Sequence, residues 1–580
     1  MSRTQKNTLV LIVNLKVYIV GLVILLTSMV NTAAYAAVSP VPLLVEQCLR
    51  YSFPTSAVSA DSNTNAIALE RGFIGFFNIN DRINYYRLFP ISSADRELLL
   101  QCQLYLADEL HLYLNSDEFQ AMQFSFASNN EPSIKALLNR INQLAKYKKS
   151  AAFKAQLHTA QATFKQQVSS KALSLNIVDK QCQLQSSDNT NEPATSFIGS
   201  LANYLIKQPS EHCRQRVWQA YQSRAAIKNK MALDTILSLR QQQAEQAGYS
   251  HYSDFVIDSQ LLNSIAAVEH FLQSSTQNIG IAPWNLGYQL SKAPSSSVTA
   301  LNAHQWLINA AKVLETLELK FEWINNKSIR LWHRQRLLGD IYLSQSQKIA
   351  LKPIKQTVVG QQFGQMELSL PSKLTQYRQQ KQATSALAEA ITRLSKGQHF
   401  YLLNTLAQTA DTRDIDRLWL EYWLVEKLLD EPKTGSREAI LTVYSQQLNV
   451  FRAKVALDLY QQQPDYIKYK QMFYNSFGQY WQNSEDAPFT FSAIVYQGPL
   501  YYQKVWQQSL ARYIYQSTKD CKNQQDIYNT LVVNEPADTL QVVLKRLLGE
   551  PVDAIPLITR IQHALDAQDF RSGRCTFLRQ

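Results

Sequence analysis

The 580-residue chain holds only 16 glycines and 18 prolines. So few helix breakers exclude collagen-like, Gly/Pro-rich and many-turned β architectures. Charged residues make up only 18% of the chain, and no Lys/Arg-rich block occurs, which argues against nucleic acid as a partner. Common catalytic signatures are absent: there is no GxSxG elbow, no GxxxxGK[ST] phosphate loop and no GxGxxG. The two nearest of its nine histidines, His251 and His270, stand nineteen residues apart, so no helix can present two of them at i and i+4 as HExxH zinc sites do. Lone histidines such as His333 and His399 read as surface or packing residues. No CxxC spacing, internal repeat or low-complexity segment is found.

What is present begins with a leader. MSRTQKNTLVLIVNLK has three cations and no acid, VYIVGLVILLTSMV (17–30) is apolar, and Ala34-Tyr35-Ala36 offers a small-x-small cleavage site. This is the pattern of a secretory signal over 1–36, and the apolar run is short for a membrane span. An uncleaved N-terminal anchor is the alternative. Cleavage would remove Arg3, Lys6 and Lys16 and lower the net charge from +12 to +9. The expectation is an exported chain, periplasmic in a diderm host, with no stable membrane insertion after cleavage. All six cysteines, Cys48, Cys102, Cys182, Cys213, Cys521 and Cys575, lie beyond that point. An even number in an exported chain suggests up to three disulfides among fifteen connectivities; pairing in chain order (48–102, 182–213, 521–575) closes the shortest loops, and buried free thiols are the alternative.

Helical periodicity runs through most of the remainder, as in ADRELLLQCQLYLADELHLYL (94–114). The turn-rich SSDNTNEP (186–193) is the best boundary, dividing an N-terminal helical region (37–190) from the rest (191–580). IRLWHRQRLLGDIYLSQSQKIAL (329–351) breaks the helical pattern and predicts a small hairpin or sheet, with helices returning from 367.

Several separated blocks, in order over roughly 210–570, resemble the M3 zinc peptidases (thimet oligopeptidase and oligopeptidase A-like). They include RVWQAYQSRAAIKNKMALDTILSLRQQQAEQAGYSHYSDF (216–255), KVLETLEL (312–319), LWH (331–333), LLGDIYL (337–343), YYQKVW (501–506) and LKRLLGEPVDAIPLI (544–558). The resemblance implies a mostly α, bilobed, zincin-derived helical shell around a central groove.

It also implies where a zinc site would lie, and that it is degraded. The family helix reads LFHEFGHALH, and ALAEAITRLS (386–395) stands in its place. Glu389 matches the water-activating general base, but Ala388 and Thr392 occupy the histidine positions. In DTRDIDRLWLEYW (411–423), Asp411 matches the leading Asp of the family's ligand helix and Asp414 its zinc-binding Glu. His399 would lie roughly 16 Å along from Ala388 and cannot substitute. The family's oxyanion donors fare no better. FTF (489–491) lacks the histidine, Gln497 falls at a tyrosine beside Tyr496, and Lys504 replaces another tyrosine.

Zinc needs three basic protein ligands and an open position for water. The expectation is therefore no cofactor and a pseudopeptidase binding peptides or a protein partner in the former groove. Asp411, Tyr496, Gln497, Tyr501, Tyr502 and Lys504 are its candidate lining, alongside Trp506. Alternatives are an active zinc oligopeptidase on short peptides, a different metal held by Glu389, Asp411 and Asp414, and a helical scaffold without ligand. Plain core packing is the competing reading for the aromatics.

Overall fold

A computed structural model describes residues 39–54, 59, 61–146, 151–169, 180–182, 201–461 and 466–567. Residues 1–36, the 186–193 stretch and Cys575 lie outside the described residues. Helices dominate, joined by one five-stranded sheet and a two-residue ladder, Leu301–Asn302 with Lys373–Leu374. The fold class expected from the sequence holds.

Two hydrophobic cores organise the chain. The smaller is built by α1 (Val41–Leu49), α2 (Ser62–Tyr86), α3 (Ser93–Leu114), α4 (Asp117–Ala127) and α5 (Pro132–Lys146). Asp61, Ser92 and Ser116 cap α2, α3 and α4, each side chain accepting from first-turn backbone amides that have no intrahelical partner. Phe73 and Phe126 are fully buried, and Phe53 stacks on Tyr113 at 4.2 Å. A Cys48–Cys102 disulfide ties α1 to α3.

The larger core holds nearly everything from Leu157 to Ile561. It takes in the Ala151–Ser169 helix, and a Cys182–Cys213 disulfide lies at its edge. Cys521 is also disulfide-bonded, while its expected partner Cys575 falls outside the described residues.

The sheet is larger than the sequence predicts. Its strands are β1 (Leu319–Asn325), β2 (Ser328–His333), β3 (Arg336–Gln345), β4 (Ala350–Lys355) and β5 (Gly364–Leu370). Their spatial order is β1-β2-β3-β5-β4, and only the β3/β5 pair is parallel, with Gly339 opposite Gly364. Strand β1 directly follows a helix and was absorbed into its pattern. Strand β5 is buried at nearly every residue, so the alternation that betrays a half-buried strand is missing.

Six further helices matter below: α6 (Ile265–Ser274), α7 (Tyr377–Ser395), α8 (Ile415–Leu428), α9 (Arg437–Leu459), α10 (Tyr466–Phe477) and α11 (Gln503–Thr518). Helix α7 starts with a Gln376/Gln379 capping box and packs its Leu387, Ile391 and Leu394 side on the sheet. A Cβ on Gly339 would lie 2.2 Å from the Gly364 carbonyl oxygen and 2.8 Å from Leu394 Cδ2, so glycine there permits the close approach of β3, β5 and α7.

Candidate functional site: a cleft beneath Glu389

Helix α7 is buried on its sheet side, so the cleft receives what the opposite side carries. Glu389, Thr392, Arg393 and Lys396 face a cavity of about 390 Å³. Beyond Lys396 the chain turns at Gly397, whose amide donates to the Val533 carbonyl at 2.9 Å. A Cβ there would come within 2.7 Å of that oxygen. The chain then inserts Phe400, Tyr401 and Leu402 into the small core. Tyr401 stacks on Phe77 at 4.5 Å, its amide donates to Glu70 at 2.6 Å, and its hydroxyl donates to Asp81 at 3.1 Å. The chain returns through a 3-10 turn at Ala410–Thr412 and enters α8 with Asp414 at the cap. Asp81 of α2 and Arg140 of α5 complete one wall, so both cores contribute to the cleft.

Its charges are largely tied down. Glu389 Oε1 accepts from both Arg393 Nε, at 2.9 Å, and Nη2, at 2.8 Å. The Glu389 side chain is still 35% exposed, so water reaches it. Lys396 pairs with Asp416, and Arg417 pairs with Glu421 at 2.9 Å. Ser385 also donates to Glu421, at 2.8 Å, and these contacts lace α7 to α8. Burial pushes the Asp81 carboxyl up to about 6, against the opposing pull of the Tyr401 hydroxyl and Arg393. Burial also lowers the Arg140 guanidinium, which donates to the Leu406 carbonyl at 3.0 Å. Among the described residues, Arg413 and Asp414 line the cleft with no side-chain hydrogen bond or ion pair.

The structure therefore brings Glu389, Thr392 and Asp414 together, though up to 25 residues separate them. Ala388 is fully buried.

The other predicted lining residues lie elsewhere. Asp411 is fully buried and accepts from the Leu261 and Leu262 amides (3.0 and 3.1 Å), Thr409 (2.7 Å) and Tyr502 (3.2 Å). Both of its oxygens are spent inside the fold, so it is a core carboxylate and not a groove residue. Tyr501 and Tyr502 are buried too, and Tyr501 donates to Asn449 at 3.1 Å and packs edge-on against Phe491. Burial, reinforced by Asp411, holds the Tyr502 phenol well above its ordinary value. Trp506 is fully buried against Phe271. Core packing is thus the correct reading for these aromatics, because the start of α11 plugs the large core. Tyr496, Gln497 and Lys504 are exposed but do not line the cleft.

The sequence did not single out Arg393, Asp81, Arg140 or Tyr401. Arg393, one helical turn beyond Glu389, could have been found by i to i+4 spacing. The other three come from segments with no local cue.

A zinc ion does not fit the donors present. Ala388 offers a methyl group. Thr392 offers a neutral hydroxyl that is buried without a hydrogen-bond partner. Among the described residues no histidine or cysteine lines the cleft. With Asp411 committed elsewhere, the alternative Glu389/Asp411/Asp414 set does not assemble, and among the described residues no three His, Cys, Asp or Glu side chains group as metal ligands.

Among solved structures the chain is similar to the apo-Mg carboxypeptidase of Pyrococcus furiosus, with a TM-score of 0.50 and 10% identity, over 88% of this chain and 99% of that one. At that identity the likeness establishes the scaffold alone. No protein-family profile matches the chain, and no curated protein matches it.

Proposed function

We propose that this chain is an exported, M3-like pseudopeptidase that binds peptides in the α7–α8 cleft without cutting them. The observation that carries the reading is the fate of the ligand positions. Thr392 and Asp414 reach the same cleft as Glu389, yet Ala388 and Thr392 hold no metal-binding nitrogen. A water beside Glu389 then lacks the metal charge that would make it a nucleophile at neutral pH. Arg393 further occupies the carboxylate oxygen a general base would use.

Binding, by contrast, needs only what remains. Unpaired Arg413 and Asp414 give the cleft one site for a carboxylate and one for an amine, the two charges that peptide termini carry. Two disulfides support export, and among the described residues no helix is long and apolar enough to cross a membrane. Residues 1–36 would then be a cleaved signal, with 37–190 and 191–580 as the mature regions.

A second reading, a zinc oligopeptidase on short peptides, is favoured by one fact: Glu389 stays at the cleft and open to water. Quenched fluorescent peptides, offered to the mature chain with zinc and with a chelator, separate the two. The expected result is no turnover and no co-purifying zinc, with labelled peptides bound and released more readily from Asp414→Asn. Chelator-sensitive turnover that disappears in Glu389→Gln would overturn the proposal.

A further inference from the structure

Helices α6, α9 and α10 border an open surface groove of about 580 Å³, distinct in its lining from the α7–α8 cleft. Each helix turns one helical stripe toward it. Ala266, Glu269, His270 and Gln273 come from α6, Lys454, Leu457 and Asp458 from α9, and Lys468, Gln471, Met472 and Asn475 from α10. The spacings of three and four residues are those of side chains sharing one helix face.

The unusual member is Lys454. Helix α9 is apolar around it, with Val450, Phe451, Ala453, Val455, Ala456 and Leu457 all buried. Lys454 itself is only 8% exposed. Its ammonium group donates to Gln273 Oε1 at 2.9 Å, a neutral acceptor, and forms no ion pair among the described residues. A buried cation without a counter-charge destabilises the fold. Burial lowers its pKa to about 8, so the amine keeps its proton at neutral pH at a free-energy cost.

The other ionisable groups around the groove do not relieve it. Lys468 pairs with Asp458 at 3.8 Å, and Gln461 donates to Glu269 at 3.1 Å, while His270 adds a further titratable ring. The packing of α9 would be served at least as well by an apolar residue at position 454. A lysine there makes physical sense if something else brings the negative charge.

We infer that this groove is a second small-molecule site, taking an apolar monocarboxylate whose carboxylate pairs with Lys454. One negative charge matches the single ammonium without a counter-ion, whereas a phosphate dianion would face Glu269 and Asp458 in the same lining. Ala266 and the half-buried Met472 supply apolar surface for the ligand body, with Leu272 and Leu457 packed behind them. The volume lies within the range of ordinary small-molecule sites.

Benzoate and its neutral isostere benzamide are suitable probes, titrated calorimetrically into the full mature chain. Benzoate should bind at least about tenfold more tightly than benzamide, as a charge-assisted contact predicts. Lys454→Gln should erase that preference and Lys454→Arg should keep it, with circular dichroism melts establishing that both variants fold. Saturating benzoate should also protect Lys454 from trinitrobenzenesulfonate. Equal binding of the two probes, no benzoate binding, or undiminished benzoate affinity in folded Lys454→Gln would each overturn the inference.

Discussion

Glu70, buried in the small core beside Tyr401, should make the chain less stable in mild alkali. Its side chain is 2% exposed, Oε1 accepts from the Tyr401 amide, and Oε2 is buried with no hydrogen-bond partner. Burial pushes its carboxyl from 4.5 up to about 8. The folded state therefore binds the proton more tightly than the unfolded state does. The stability this confers is complete below pH 4.5 and is lost as pH rises through about 8. The shift corresponds to roughly 5 kcal/mol between those limits, an upper bound because water can penetrate to the carboxyl. Asp81, raised to about 6 on the same helix, adds a smaller loss of the same sign at lower pH.

Glu70→Gln keeps an oxygen for Tyr401 and removes the titration. Urea unfolding at about pH 5.5 and about pH 8.5 should show the natural chain losing stability while the variant holds nearly level. The first transition is the one to follow, since two cores need not unfold together. Parallel pH profiles for the two proteins would refute the reasoning, because Glu70 would then be ionised in the fold or hydrated.

Two further perturbations probe the scaffold. Asp411→Ala strands the Leu261 and Leu262 amides and should cost about 3 kcal/mol or more, read as a drop in urea midpoint. Replacing Cys48 and Cys102 together by serine frees a loop with a sequence separation of 54 and should remove about 4 kcal/mol, seen as earlier melting of the small core.

Much of this was legible in the sequence, for reasons that differ by feature. Helical periodicity and scarce breakers gave the fold class. Chain-order pairing predicted Cys48–Cys102 and Cys182–Cys213, since neighbouring helices bring nearby cysteines within bonding reach. Glu389, Thr392 and Asp414 line one cleft, and the resemblance was the cue that singled them out from segments 25 residues apart. Strand β5 was missed because continuous burial erases the alternation on which strand reading depends. Tyr501 and Tyr502 stay open between groove and core in one dimension, because a motif carries residue types but not the direction a side chain takes. Asp411 was misjudged, since a buried carboxylate serving two backbone amides and a catalytic one look identical in one dimension. Lys454 is the reverse case: its isolation appears only when three helices close around it.

The insertion of Phe400, Tyr401 and Leu402 into the small core also bears on how this chain can be divided. A fragment starting at 191 would include the α7 helix and the α8 carboxylates. It would leave three apolar side chains uncovered, lose Asp81 and Arg140 from the wall, and strand the Tyr401 amide that Glu70 receives. The cleft is thus a joint product of both ends of the chain, and a shortened version would lack the site as well as part of its scaffold.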